Sequence, residues 1–216
     1  MRKEDVEKVI DILRREFPRW NAPVVSLIAQ KTGDPFRVLV CALISTRTKD
    51  ETTAMVCKRL FERIKNVDDL YNIDEEELSR LLYPVGFYKN KAKFLKSIAE
   101  EIKKNYSSQV PNKLEDLLKL KGVGRKVANL VLSEGYGIPA ICVDTHVHRI
   151  TNRWCLIKSK DPEETERKLT EILPEKYWIE FNKLLVAFGQ TLCKPVKPLC
   201  GVCPIREYCE YEFKTL

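Results

Sequence analysis

The C-terminal part of the chain concentrates four thiols. Cys193, Cys200, Cys203 and Cys209 fall within TLCKPVKPLCGVCPIREYCEY, separated by six, two and five residues. Thiols this dense either pair as disulfides or ligate metal. The start, MRKEDVEKVIDILRREF, carries charges throughout and does not read as an export signal, so a reducing compartment and free thiols are expected. One tetrahedral zinc usually sits between two short cysteine knuckles, and only one pair here is that close. An iron–sulfur cubane is a larger object and tolerates wider gaps. Spacing alone favours the cubane and leaves zinc open. The other cysteines, 41, 57, 142 and 155, lie mostly among apolar neighbours and read as small buried hydrophobes.

A second group is the run LKGVGRK, Leu120 to Lys126. It reads as helix, tight turn, helix. Gly122 can end the first helix in a left-handed conformation, and Gly124 allows a close approach at the start of the second. The second helix then presents unpaired N–H groups and its positive dipole end, a phosphate-binding geometry flanked by Lys119, Lys121 and Arg125. Lys126 falls in the first turn of that helix. A cation there sits at the wrong end of the dipole, which is unfavourable by roughly 0.3–1 kcal/mol. One more solvated lysine is the bland alternative. The functional one is a neutral amine, a nucleophile able to form a Schiff base with a sugar aldehyde.

Asp144 follows in ICVDTHVHR after an apolar approach. It suits a helix N-cap, and the cap can coexist with a catalytic role. His146 and His148 are the two histidines of the protein. Two histidines this close beside one aspartate do not make a convincing metal site.

The elements that must position these groups read as helices throughout. Asp34-Pro35 and Asp161-Pro162 are N-cap and first-turn pairs. Asp50 and Asp74 suit helix starts, and Asn112 with Glu115 has the capping-box pattern. Between Asn90 and Asn105, Leu95, Ile98, Ala99 and Ile102 share one face. No strand pattern, internal repeat or low-complexity segment stands out. An all-α fold is expected.

Composition bounds the rest. The 216 residues carry a formal net charge of +7, with 44% hydrophobic residues. A membrane span is excluded, since no run approaches 18 apolar residues. The charged fraction of 32% and only two methionines lean toward a heat-adapted source. The positive balance modestly favours a polyanionic partner. A cubane held by four thiolates would lower the total to about +5.

Taken together, LKGVGRK at 120–126, VDTH at 143–146, the cysteine spacing, LISTRTKD at 43–50 and GFYKNKA at 86–92 resemble the endonuclease III branch of the helix-hairpin-helix DNA glycosylases. The matches run in order from about Asp34 to Glu212. The resemblance implies two helical domains with a DNA-binding cleft between them. One would be a six-helix domain over 28–138, with the hairpin at about 112–130. The other would join 1–27 to 139–216, closed by a [4Fe–4S] cluster on 193–209. It implies a flipped nucleotide, Lys126 as the Schiff-base nucleophile, Asp144 as the catalytic carboxylate and the four C-terminal cysteines as cluster ligands. Arg47, Phe87, Lys121, Gly122, Gly124, Arg125, His146, Lys194 and Lys197 would meet DNA. The implied activity removes oxidised pyrimidines and cleaves the abasic strand by β-elimination. A monomer acting on damaged duplex DNA in a nucleoid-bearing, cytoplasmic compartment is expected.

Three positions depart from the pattern of that family. Arg47 stands where Gln commonly fills the gap left by the flipped nucleotide. Phe87 replaces a Leu wedge, and Lys121 replaces a Pro before the glycines. Sister branches offer monofunctional or mismatch-specific glycosylases, and a non-catalytic DNA-binding module is the reading from another class. Lys126 favours the bifunctional enzyme, because the adenine-removing branch lacks a lysine there and the thymine-mismatch branch has a tyrosine.

Overall fold

Short polar side chains start several of the helices. In the computed structural model, which describes residues 1–215, the Asp34 carboxylate accepts from Phe36 N at 2.9 Å. Asp74 accepts from Glu76 N and Glu77 N, and Asp161 accepts from Glu164 N at 2.8 Å. Each satisfies amides that a helix start leaves unpaired. Asp50 differs from expectation: it is the first helical residue, not the cap, and its carboxylate accepts from Val24 N at 3.4 Å. Asn112 also differs, since Lys113 is the N-cap there and makes no side-chain cap.

The helices are α1 (Val6–Glu16), α2 (Val24–Thr32), α3 (Pro35–Ser45), α4 (Asp50–Arg63), α5 (Val67–Asn72), α6 (Glu75–Leu82), α7 (Tyr88–Asn105), α8 (Leu114–Leu117), α9 (Arg125–Leu130), α10 (Thr145–Arg153), α11 (Pro162–Ile172) and α12 (Trp178–Thr191). No strand forms among the described residues, and no helix among them is long and apolar enough to cross a membrane.

The chain folds as two compact units. One is Val24–Ile138. It begins at Val24, ahead of a break at 27/28, because α2 starts there and packs on α3. Helix α3 is its axis. Residues Phe36 and Val38 to Ile44 are all buried, as expected of a helix apolar on every side. It touches α2, α4, α7, α9 and the π-helical turn Val131–Gly135 that continues α9. Helix α7 lays Leu95, Ile98, Ala99 and Ile102 into the same core, each no more than 1% exposed. Cys41 and Cys57 meet inside it at 3.0 Å, Sγ to Sγ. That contact, with burial, pushes the Cys41 thiol well up.

The other unit joins Met1–Pro23 to the chain from Pro139 on. Val9, Ile10 and Leu13 of α1 pack with Val147 and Ile150 of α10, Leu169 of α11, and Phe181, Leu185 and Phe188 of α12. Cys142 is buried as expected, but Cys155 is exposed. It occupies the left-handed turn after α10, at φ +53°, where the chain leaves the core.

Candidate active site

The hairpin is built by two glycines that do different work. Gly122 has φ +83°, and a Cβ there would lie 2.7 Å from Phe94 Cδ2. Both the backbone and the packing therefore demand glycine. Gly124 is the N-cap of α9 with φ −94°, and nothing lies within 4 Å of where its Cβ would be. Its value is open space in front of the helix. Val123 and Leu120 bury on the inner side, so the turn is anchored while Lys121, Gly122, Gly124 and Arg125 stay exposed. Lys126 is the second residue of α9 and is half-buried. Lys119 belongs less to the basic flank than its sequence position suggests. Its ammonium binds the Asp116 carboxylate at 2.8 Å.

Asp144 caps α10. Its Oδ1 accepts from both His146 N and Val147 N at 2.9 Å, which leaves Oδ2 outside the cap. Two amides and the helix dipole thus hold a carboxylate in one orientation. His146 packs against α12, where a Cβ on Gly189 would come within 2.4 Å of His146 Nδ1. Arg149 Nη2 lies 3.1 Å from that nitrogen. His148 Nδ1 sits 2.7 Å from Thr165 Oγ1, a contact inside the unit.

The four C-terminal cysteines line one pocket, with Trp154, Leu192 and Leu199 among its apolar walls. Among the described residues no three His, Cys, Asp or Glu side chains converge where a single ion would be held. Thiols that surround a space suit a cluster of several irons better than one tetrahedral zinc. Burial raises the Cys193 and Cys209 thiols and pushes Cys203 up to about 11. The pocket therefore favours neutral thiols unless cations draw off the protons.

Two arginines one turn apart on α10 tie this loop to the Asp144 helix. Arg149 Nη2 donates to Cys193 O at 2.9 Å. Arg153 donates to Lys194 O and Pro195 O at 2.6 Å each and approaches Cys193 Sγ at 3.6 Å. Its guanidinium also lies 4.8 Å from the Tyr211 ring centroid. Lys194 and Lys197 remain exposed on the loop, Lys197 with φ +51°. The sequence reading missed Arg149 and Arg153. Their helical spacing, on the helix that Asp144 starts, was the available signal.

In the other unit Arg47 and Phe87 face one another. Both are exposed, both are left-handed (φ +52° and +57°), and the Arg47 guanidinium lies 5.7 Å from the Phe87 ring centroid. A Cβ on Gly86 would stand 2.9 Å from Arg47 O, so the two backbones nearly touch.

Comparison with known proteins bears on both sets of residues. The family described as HhH-GPD superfamily base excision DNA repair protein matches residues 40–175. The iron–sulfur binding domain of endonuclease III matches 193–209. Endonuclease III of Thermotoga maritima is 41% identical over 206 residues, covering 95% of this chain and 92% of that protein. Endonuclease III-like protein 1 of Bos taurus is 38% identical over 217 residues, covering 95% and 71%. Among solved structures, a non-covalent endonuclease III–DNA complex gives a TM-score of 0.87 at 31% identity, covering 98% of this chain and 96% of that one. A trapped covalent endonuclease III–DNA intermediate gives 0.86 at 30% identity, covering 98% and 97%.

Proposed function

The chain belongs to the endonuclease III family of base excision DNA repair proteins, and from that membership we propose that Lys126 and Asp144 carry its chemistry. It is a bifunctional DNA glycosylase and abasic-site lyase that acts on DNA and holds a [4Fe–4S] cluster. The base substrates we assign are oxidised pyrimidines in duplex DNA.

Lys126 Nζ, as the neutral amine, attacks C1′ of an extruded nucleotide. Its lone pair forms the C–N bond while the glycosidic pair leaves with the base. Loss of the amine proton and opening of the sugar ring give an imine. Removal of a C2′ proton then breaks the C3′–O bond and releases the 3′ phosphate, and water frees the lysine. Asp144, its Oδ1 fixed by two amides, offers Oδ2 to the positive charge developing on the sugar and to the proton transfers. Lys121, Arg125 and the amides behind Gly122 and Gly124 grip the phosphate backbone. Arg47 and Phe87 enter the duplex beside the extruded nucleotide. His146, Lys194 and Lys197 complete the DNA surface.

Cys193, Cys200, Cys203 and Cys209 hold the cluster. When bound, it supplies a rigid centre for the loop rather than an electron for the reaction. We place the enzyme in a reducing compartment with the nucleoid, where thiols stay available as cluster ligands.

The observation that carries the assignment is a half-buried lysine in the first turn of a helix, directly behind a glycine turn open to phosphate. Borohydride trapping on an abasic duplex tests it. Wild type should give a covalent adduct, and Lys126→Ala should bind the duplex without forming one. An adduct that persists in Lys126→Ala would overturn the role of this amine.

A further inference from the structure

A buried lysine lies beneath the Arg47–Phe87 pair. Lys91, at the end of the first turn of α7, is 4% exposed. Its ammonium donates to Ile44 O at 2.8 Å, Thr46 O at 2.6 Å and Thr48 Oγ1 at 3.2 Å. These three acceptors use all three of its donors. Two of them belong to the residues immediately before and after Arg47. The backbone amide of the same lysine bonds Phe87 O at 3.0 Å, closing the first turn of α7. One residue therefore holds both members of the pair, Phe87 through the main chain and Arg47 through its neighbours.

The arrangement is costly. Burial alone draws the lysine down to about 8, and no carboxylate offsets it. Its partial compensation is the carbonyl end of α3, where a cation is favoured. The residues it restrains are in the left-handed region although neither is glycine, a conformation that persists only where the surroundings impose it.

We propose that Lys91 is a positioning residue that fixes Arg47 and Phe87 in the geometry that enters the duplex, and so sets how strongly the enzyme discriminates the base opposite the lesion. The inference rests on Arg47 and Phe87 being DNA contacts. Lys91→Met keeps length and removes the donors. Lys91→Gln restores part of the donor capacity, and Thr48→Val deletes the weakest of the three acceptors.

Each variant is tested on abasic duplexes carrying each of the four opposite bases, with binding measured on a non-cleavable abasic analogue. Lys91→Met should weaken duplex affinity about tenfold and flatten the opposite-base profile. Its KM should rise by more than its kcat falls, and it should lose more on duplex than on single-stranded abasic DNA. Lys91→Gln should recover part of the loss, and Thr48→Val should shift the profile the same way by a smaller factor. If Lys91→Met does not fold, the other two variants decide the matter. Unchanged discrimination in every folded variant, while Arg47→Ala and Phe87→Ala impair binding, overturns the role of Lys91. If those two substitutions also leave binding unchanged, the DNA-contact reading beneath it fails instead.

Discussion

The hairpin and the cluster loop are both irregular segments that present cations, yet they are held in opposite ways. The hairpin is fixed from within. Leu120 and Val123 bury under it, and Gly122 takes a left-handed turn against Phe94. The loop from Cys193 to Cys209 contributes one short 3₁₀ turn, Cys200–Val202, and leaves Val196 and Val202 more than 70% exposed. It is fixed from outside, by arginines of α10 grasping its carbonyls and by the cluster at its centre. A turn specified by its own backbone should survive changes elsewhere, whereas a braced loop should fail when its brace is removed.

Removing the cluster is the harshest way to break that contrast. Cys203→Ala, or iron chelation, should abolish the visible absorbance of the cluster. It should also strip hydrogen-exchange protection from the loop while the hairpin amides keep theirs. A loop still protected in the iron-free protein would mean that Arg149 and Arg153 suffice to hold it.

Alanine at the two glycines sharpens the contrast from the other side. Gly122→Ala meets both a positive φ and the Phe94 ring, and should destabilise the protein by about 2–3 kcal/mol in thermal or urea unfolding. Gly124→Ala meets nothing within 4 Å and should change stability by under about 0.5 kcal/mol. It should still weaken DNA binding severalfold, because the methyl group occupies the approach to phosphate. Equal stability losses at the two positions would contradict the division of labour.

The same contrast explains what could be read from the sequence. Gly122 and the caps at Asp34, Asp74 and Asp161 were legible because each acts on residues a few positions away. Asp50 and Asn112 were each misplaced by one residue; for Asp50, an acidic first-turn residue and a true cap share the same signature. Cys155 looked like another buried thiol until the turn after α10 put it outside. Arg153 and Lys91 were not legible, because their partners lie 41 and 47 residues away along the chain. For Lys91 a hint existed: it falls one helical turn before Leu95 on the apolar stripe of α7, where a lysine is out of place. The roles of Lys126 and Asp144 came from family resemblance; spacing only permitted them.

The two units should also respond differently to pH. Lys91, in the hairpin unit, falls to about 8 from an ordinary 10.5 because it is buried. Below pH 8 folded and unfolded chains both hold its proton, and the cost of burying the charge is constant. Between 8 and 10.5 the unfolded chain binds more protons, so stability gains a rising component. Glu164, in the cluster unit, is drawn down to about 2 by Lys168 and the Lys160 amide. Its contribution is complete above about 4.5 and fades as pH falls toward 2. Lys91→Met should therefore flatten the alkaline side of a Tm–pH curve, and Glu164→Gln the acid side. Crossed effects would refute the assignment of either group.

The smallest expected effect is the most discriminating about the loop. Each phosphate neutralised by a lysine adds about 0.9 to the slope of log affinity against log salt. Lys121 sits on the self-supported turn and Lys197 on the braced loop, and both are exposed. If both grip phosphate, Lys121→Ala and Lys197→Ala should each reduce the slope by about one, uniformly across sequences. Lys197→Ala should also lose its effect in protein stripped of iron, because the loop that aims it has lost its brace. Lys121→Ala should keep its effect there. A normal slope for Lys197→Ala in the loaded protein would remove Lys197 from the phosphate contacts, whereas the hairpin would keep those of Lys121.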